Sequence, residues 1–180
     1  PLQSGTKLNL FGVFGFPGGP VVAVGDGGTL LCIDAAAAAP APCTKARPTK
    51  ALLYSVWGHS PAAMYAVGDK GVILNSQDQG RTWTLVRQGG SALRRVSGAG
   101  PAEVWAIGWD GTVRRSPKWD LLPASSTIWL YDLWMSATAD PFLVGTDQTD
   151  KAGVLLRIPR TGGKATLLRR QVNPLYTLWG

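Results

Sequence analysis

Few side chains in this sequence could do acid–base, nucleophilic or metal chemistry. The 180 residues hold 11 Asp and Glu, a single Glu (Glu103), a single His (His59) and two Cys (Cys32 and Cys43). Glycoside hydrolysis needs paired carboxylates or a Tyr–Glu pair. Glu103 instead stands at the entry to the apolar run 104–107, where it reads as a turn residue. His59 lies beside Ser60-Pro61 in a second turn, and a metal site there would have to recruit carboxylates from other parts of the chain. No Ser, His and Asp share the context of a nucleophilic triad. Gly25-Asp26-Gly27-Gly28 is Gly-rich like a phosphate loop, but a strand follows where a helix N-terminus is required, so it reads as a hairpin. No catalytic residue, cofactor site or metal site is therefore expected.

Cys32 and Cys43 flank an Ala/Pro insert and read as a staple closing that loop, which implies an oxidising compartment. The alternative is two unpaired thiols, one of them buried in a strand. The charge balance is basic, with 18 Lys and Arg giving a formal net charge of +7. Arg94-Arg95, Arg114-Arg115 and Arg169-Arg170 fall on strand positions, where neighbours point to opposite faces. One of each pair, Arg95, Arg115 and Arg170, could line a stripe attractive to anions; the simpler reading is a solvated rim. No nucleic-acid motif accompanies these residues, so no specific nucleic-acid partner is expected. No apolar run reaches the roughly 18 residues of a membrane span. The first twenty residues, interrupted by Lys7, Gly12, Gly15 and Pro17, do not read as a signal peptide.

What positions these residues is a repeat. LNLFGVFG (8–15), ALLYSVWG (51–58), SALRRVSG (91–98) and the looser IWLYDLWM (128–135) are each followed by a second apolar run that closes on Gly. Those closing residues, Gly25, Gly68, Gly108 and Gly145, come at steps of 43, 40 and 37 residues. After each of the first three, Asp-Gly-Gly, Asp-Lys-Gly or Trp-Asp-Gly supplies tight-turn chemistry. Third strands are expected at 29–33, 72–75, 112–115 and 154–158, and fourth strands at 83–86, 119–122 and 165–168. Gly and Pro interrupt almost every window long enough for a helix. Four short strands per unit of 40–45 residues point to an all-β fold, a β-propeller of four-stranded antiparallel blades.

Ser76-Gln77-Asp78-Gln79-Gly80-Arg81-Thr82-Trp83 matches the Asp-box pattern S-x-D-x-G-x-T-W at every defined position. The chain thereby resembles the Asp-box (BNR-like) repeat propellers, in particular bacterial secreted members of the sialidase-like and photosystem II assembly factor-like group. The full motif occurs once. The resemblance implies that Ser76, Asp78, Gly80, Thr82 and Trp83 cap a hairpin between third and fourth strands on the outer rim. Arg157-Ile158-Pro159 echoes the sialidase Arg-Ile-Pro motif, but it lies after the Asp-box instead of before it. Trp57, Trp105, Trp134 and Trp179 read as blade-core residues. The whole chain, 1–180, is expected to be a partial propeller with blades at about 8–50, 51–90, 91–125 and 126–171, and residues 172–180 as the inner strand of a further blade. Its remaining blades would come from the same or another chain. The expected function is a non-enzymatic interaction module, secreted or in the bacterial cell envelope, with a protein or glycan partner. A sialidase-like glycosidase or a lectin is the alternative, and arginines converging near a Tyr–Glu pair would favour the hydrolase.

Overall fold

The computed structural model describes residues 6–19, 21–33, 41–43, 47–122 and 124–178. The stretch 34–40, Trp179 and Gly180 lie outside the described residues. The chain divides into two compact units, Pro1–Gly90 and Ser91–Gly180, and each holds two four-stranded antiparallel sheets. In the first unit these are β1 (Leu10–Gly15), β2 (Val21–Gly25), β3 (Thr29–Ile33) and β4 (Ala41–Pro42), then β5 (Leu53–Ser60), β6 (Ala63–Gly68), β7 (Ile73–Ser76) and β8 (Thr84–Arg87). In the second they are β9 (Leu93–Gly100), β10 (Glu103–Gly108), β11 (Val113–Arg115) and β12 (Asp120–Leu122), then β13 (Ile128–Trp134), β14 (Phe142–Asp147), β15 (Gly153–Arg157) and β16 (Thr166–Gln171). Every sheet is a meander in sequence order. The fourth strands start one residue later than expected, because Trp83 and Trp119 turn inward ahead of them; both are buried.

The meander follows from the turn chemistry. Between the second and third strands, Gly27, Lys70 and Asp110 take left-handed φ values of 60°, 57° and 54°, and Gly28, Gly71 and Gly111 follow in the same region. Two such residues in succession reverse the chain tightly. The glycine ahead of this turn has a different reason. Gly68 is extended (φ −168°), so backbone freedom is not what it supplies. A Cβ there would lie 1.9 Å from the Leu52 carbonyl oxygen, which accepts the Asp69 N–H at 2.9 Å. Gly25, Gly108 and Gly145 meet the carbonyls of Asn9, Ala92 and Trp129 in the same way. The repeated glycine therefore marks where the second strand closes on the entry to the first.

In each unit the core lies between the two sheets. Val22, Val24 and Leu30 join Leu53, Val56 and Leu74 in the first. Trp105, Ile107 and Val113 join Leu130, Leu133 and Val154 in the second. The inner strand expected over 172–180 is not formed in residues 172–178. A strand needs a neighbour to complete its ladder, and no following strand is present among the described residues. The segment does lie on β13. Tyr131 and Tyr176 are 5.1 Å apart, and Asp132 accepts hydrogen bonds from the Thr177 hydroxyl (3.1 Å) and the Leu178 N–H (3.0 Å).

Candidate interaction surface

The Ser76–Trp83 turn is held from within. The Ser76 hydroxyl donates to Asp78 Oδ1 (2.9 Å) and accepts the Gly80 N–H (2.9 Å). Asp78 also accepts the Thr82 N–H (2.8 Å) and hydroxyl (2.6 Å), while Trp83 Nε1 donates to the Gly80 carbonyl (2.7 Å). Gly80 has φ +82°, and a Cβ there would lie 2.7 Å from a Val22 methyl. All five residues are thus engaged in shaping the turn. Burial pushes the Asp78 pKa up, but the hydrogen bonds from Thr82, Ser76 and Arg81 outweigh it and hold the carboxyl below its ordinary value. Asp147 is pushed down to about 2, first by the Thr149 N–H and hydroxyl, with Arg170 adding to them against burial.

Both folded pKa values lie below the unfolded ones. The stability these groups contribute is therefore fully present only well above the unfolded carboxylate value of about 4 and is lost as pH falls through the folded values, about 2 for Asp147. Melting temperature should stay level from pH 7 to pH 5 and then fall. The double variant Asp78→Asn/Asp147→Asn should show a shallower acid slope in a pH series of thermal melts, and an unchanged slope would contradict this.

The charged residues singled out in the sequence are engaged with the protein itself. Arg157 faces Asp140 at 3.9 Å. Arg160 pairs with Glu103 (3.4 Å) and donates to the carbonyls of Ala137 (2.6 Å) and Ser136, while its own carbonyl accepts from Arg115. Arg115, Arg157 and Arg160 thus do gather on the same edge as Glu103, but they bridge loops, and none of these contacts involves a Tyr. The stripe residues stand on different ranks. Arg95 is on a first strand and pairs with Asp132 (2.9 Å). Arg115 is on a third strand, over the Trp105 ring (5.4 Å). Arg170 is on a fourth, bound to Asp147 (3.1 Å) and Asp150. Their shared Arg-Arg context did not give them equal depth in the sheet.

His59 is exposed at the β5–β6 hairpin. Cys32 and Cys43 form a disulfide, with Cα atoms 4.7 Å apart. Trp105 is fully buried, whereas Trp57 and Trp134 are only half-buried beside Phe14 and Phe142. Among the described residues, no three His, Cys, Asp or Glu side chains are grouped to hold a metal. No helix in them is long and apolar enough to cross a membrane. A cleft of about 220 Å³ in the second unit has an apolar floor including Ile128, Val154 and Leu156, with Asp147, Lys164 and Arg170 also in its lining. Its one carboxylate is already bound by Thr149 and Arg170.

The surfaces that remain, one in each unit, are ones the sequence did not announce. The first strand of each sheet slips register against its neighbour at the same place, between Leu10 and Gly12, Leu53 and Ser55, Leu93 and Arg95, and Leu130 and Asp132. The bulged residues are Phe11, Tyr54, Arg94 and Tyr131, all at least partly exposed. A bulge re-aims its side chain away from the ladder. In the first unit Phe11 meets Tyr54 edge-on at 5.9 Å. In the second, Arg94 lies over Trp109 (5.9 Å), and Trp109 stacks on Trp129 (5.3 Å, 24° between planes), two residues before Tyr131. The four residues share one position of the repeat. That column is a signal present in the sequence, but in an apolar strand pattern it reads as interior packing.

No protein-family model matches the chain, and no curated protein matches it. Solved structures do. The chain described as YCF48 bound to D1 peptide superposes with a TM-score of 0.72 at 15% identity, over 92% of this chain and 56% of that one. YCF48 from Cyanidioschyzon merolae gives 0.67 at 14% identity, over 92% and 58%. The fold is that of a β-propeller. The four antiparallel four-stranded sheets fit its blades. The chain spans a little over half the length of these two structures.

Proposed function

We propose that this chain is a non-enzymatic interaction module that binds polypeptide on the first strands, β9 and β13, of the two blades of its second unit. The observation that carries this is the recurring bulge, which in that unit turns Arg94 and Tyr131 out of the ladders beside the stacked Trp109–Trp129 pair. Aromatic and Arg side chains held this way are the usual anchors of protein interfaces. The YCF48 chain solved with a D1 peptide supports a peptide ligand for this fold. Ser76, Asp78, Gly80, Thr82 and Trp83 are read as structural, because their polar groups serve one another. The Cys32–Cys43 disulfide supports a secreted or envelope location. Partners on this reading are a polypeptide ligand and the blades that complete the propeller, from the same or another chain.

Selection of displayed peptides on the purified chain tests the proposal. Binders should emerge and lose affinity at least about tenfold on Trp129→Ala/Tyr131→Ala, with the fold retained by circular dichroism. Binders indifferent to that change would refute the site. The stacked Trp109–Trp129 pair favours one second reading, a glycan ligand lying on the ring face. A glycan array responding where peptides do not would favour the lectin, and hydrolysis of a sialoside by the chain would favour the glycosidase.

A further inference from the structure

Two of the fourth strands can be compared residue for residue, because their ladders carry the same pairs. Leu74 faces Leu85 and Asn75 faces Thr84 in one sheet, as Leu156 faces Leu167 and Arg157 faces Thr166 in the other. The residue just ahead of each fourth strand is therefore equivalent, and it is Trp83 in the first case and Ala165 in the second. The approach to it is also kept, since Gly80 and Gly162, three residues earlier, are both left-handed (φ +82° and +90°). Trp83 is buried in a core with Val72 and Leu74, and Trp119, just ahead of β12, is buried as well. Ala165 packs on the corresponding core, which includes Val154 and Leu156, but a methyl group cannot fill the place of an indole. The space stays open as the cleft of about 220 Å³, lined by Ala165 with Ile128, Val154, Leu156 and Leu167, and with Lys164 beside them.

We propose that this cleft binds a small aromatic acid, its ring lying where the equivalent sheet holds the Trp83 indole and its carboxylate at Lys164. A dry apolar cavity of about 150 Å³ accepts benzene, and the larger cleft here has room for a ring system of indole size. The drive is removal of the ring from water and contact with the aliphatic walls. Charge selects the substituent. Of the two cations in the lining, Arg170 is bound to Asp147 and Asp150, whereas among the described residues Lys164 meets no carboxylate. Asp147, the acidic group in the lining, is neutralised by Arg170 and held by Thr149, so it does not oppose an incoming anion. The site lies within the second unit and uses none of the residues of the Trp109–Trp129 surface.

Heteronuclear NMR titration of the chain with indole-3-acetate tests the proposal, with indole as the uncharged comparison. Indole-3-acetate should shift the resonances of Ile128, Val154 and Leu156 with a dissociation constant below about 1 mM, and indole should bind about threefold more weakly. Lys164→Gln, at an exposed position, should remove that difference. Ala165→Trp should supply the missing ring from the chain itself, abolish the shifts and raise the melting temperature. The Lys164 comparison stands whether or not Ala165→Trp folds. No response at the cleft, or a response that persists in folded Ala165→Trp, would overturn the proposal. Shifts confined to Trp129 and Tyr131 would overturn it too, and equal binding of the two probes by the wild type would overturn the role given to Lys164.

Discussion

Gly68→Ala should destabilise the chain by about 3 kcal/mol, a large loss for the addition of one methyl group. The reason is space, not backbone conformation. Gly68 is extended, a region open to any residue, but the new Cβ would lie 1.9 Å from the Leu52 carbonyl oxygen. That oxygen cannot simply withdraw, since it accepts the Asp69 N–H and opens the inner strand of its blade. Relief needs the whole entry to β5 to move, and Leu53 there is fully buried. Gly100→Ala is the control. It lies in a hairpin where an added Cβ would meet nothing within 4 Å, and it should change stability by less than about 0.5 kcal/mol. Urea unfolding of both variants makes the comparison, and equal effects would show that the repeated glycine is not required by close approach.

Loss of the disulfide is the second large effect. Cys32 and Cys43 are 11 residues apart, and a loop of that size is held with about 3 kcal/mol of chain entropy. Local structure makes the staple matter more. The outer strand β4 is only two residues long, and beyond it the blade edge is held by the Cys43 N–H donating to the Leu30 carbonyl at 3.0 Å. Both cysteines pack against the core that also contains Trp83. Cys32→Ser/Cys43→Ser should therefore lower stability by about 2–3 kcal/mol. Dithiothreitol should bring the wild type to the same midpoint and leave the variant unmoved. A wild type that keeps its melting temperature after thiol titration has shown full reduction would contradict the assignment.

The repeat was legible because its marker is a steric demand that recurs with every blade. Each closing glycine faces a carbonyl that no other residue can approach so closely, so the steps of 43, 40 and 37 residues survive where most side chains vary. Turn residues with left-handed φ punctuate the chain in the same way. The Ser76–Trp83 turn was legible because its hydrogen bonds run between residues two to four apart. Other features were not legible, for reasons of pairing. A bulge exists only relative to a second strand, so the column Phe11, Tyr54, Arg94 and Tyr131 gave no sign that it points out of the ladder. Trp57 and Trp134 looked like Trp105, yet only Trp105 is enclosed on all sides.

Spacing along the chain thus decided the unit, its first three strands and its turns, all of which depend on local backbone geometry, while the cysteine pairing and the short β4 were left to the fold. Depth and partnership were decided only by the tertiary structure. Arg95, Arg115 and Arg170 each belong to an Arg-Arg pair in sequence, but only the folded chain sets them on Asp132, the Arg160 carbonyl and Asp147 respectively. Leu10 and Leu53 have the same type and place in the repeat, yet one is open and the other sealed. Hydrophobicity says that both prefer burial, but only a neighbouring blade can provide it.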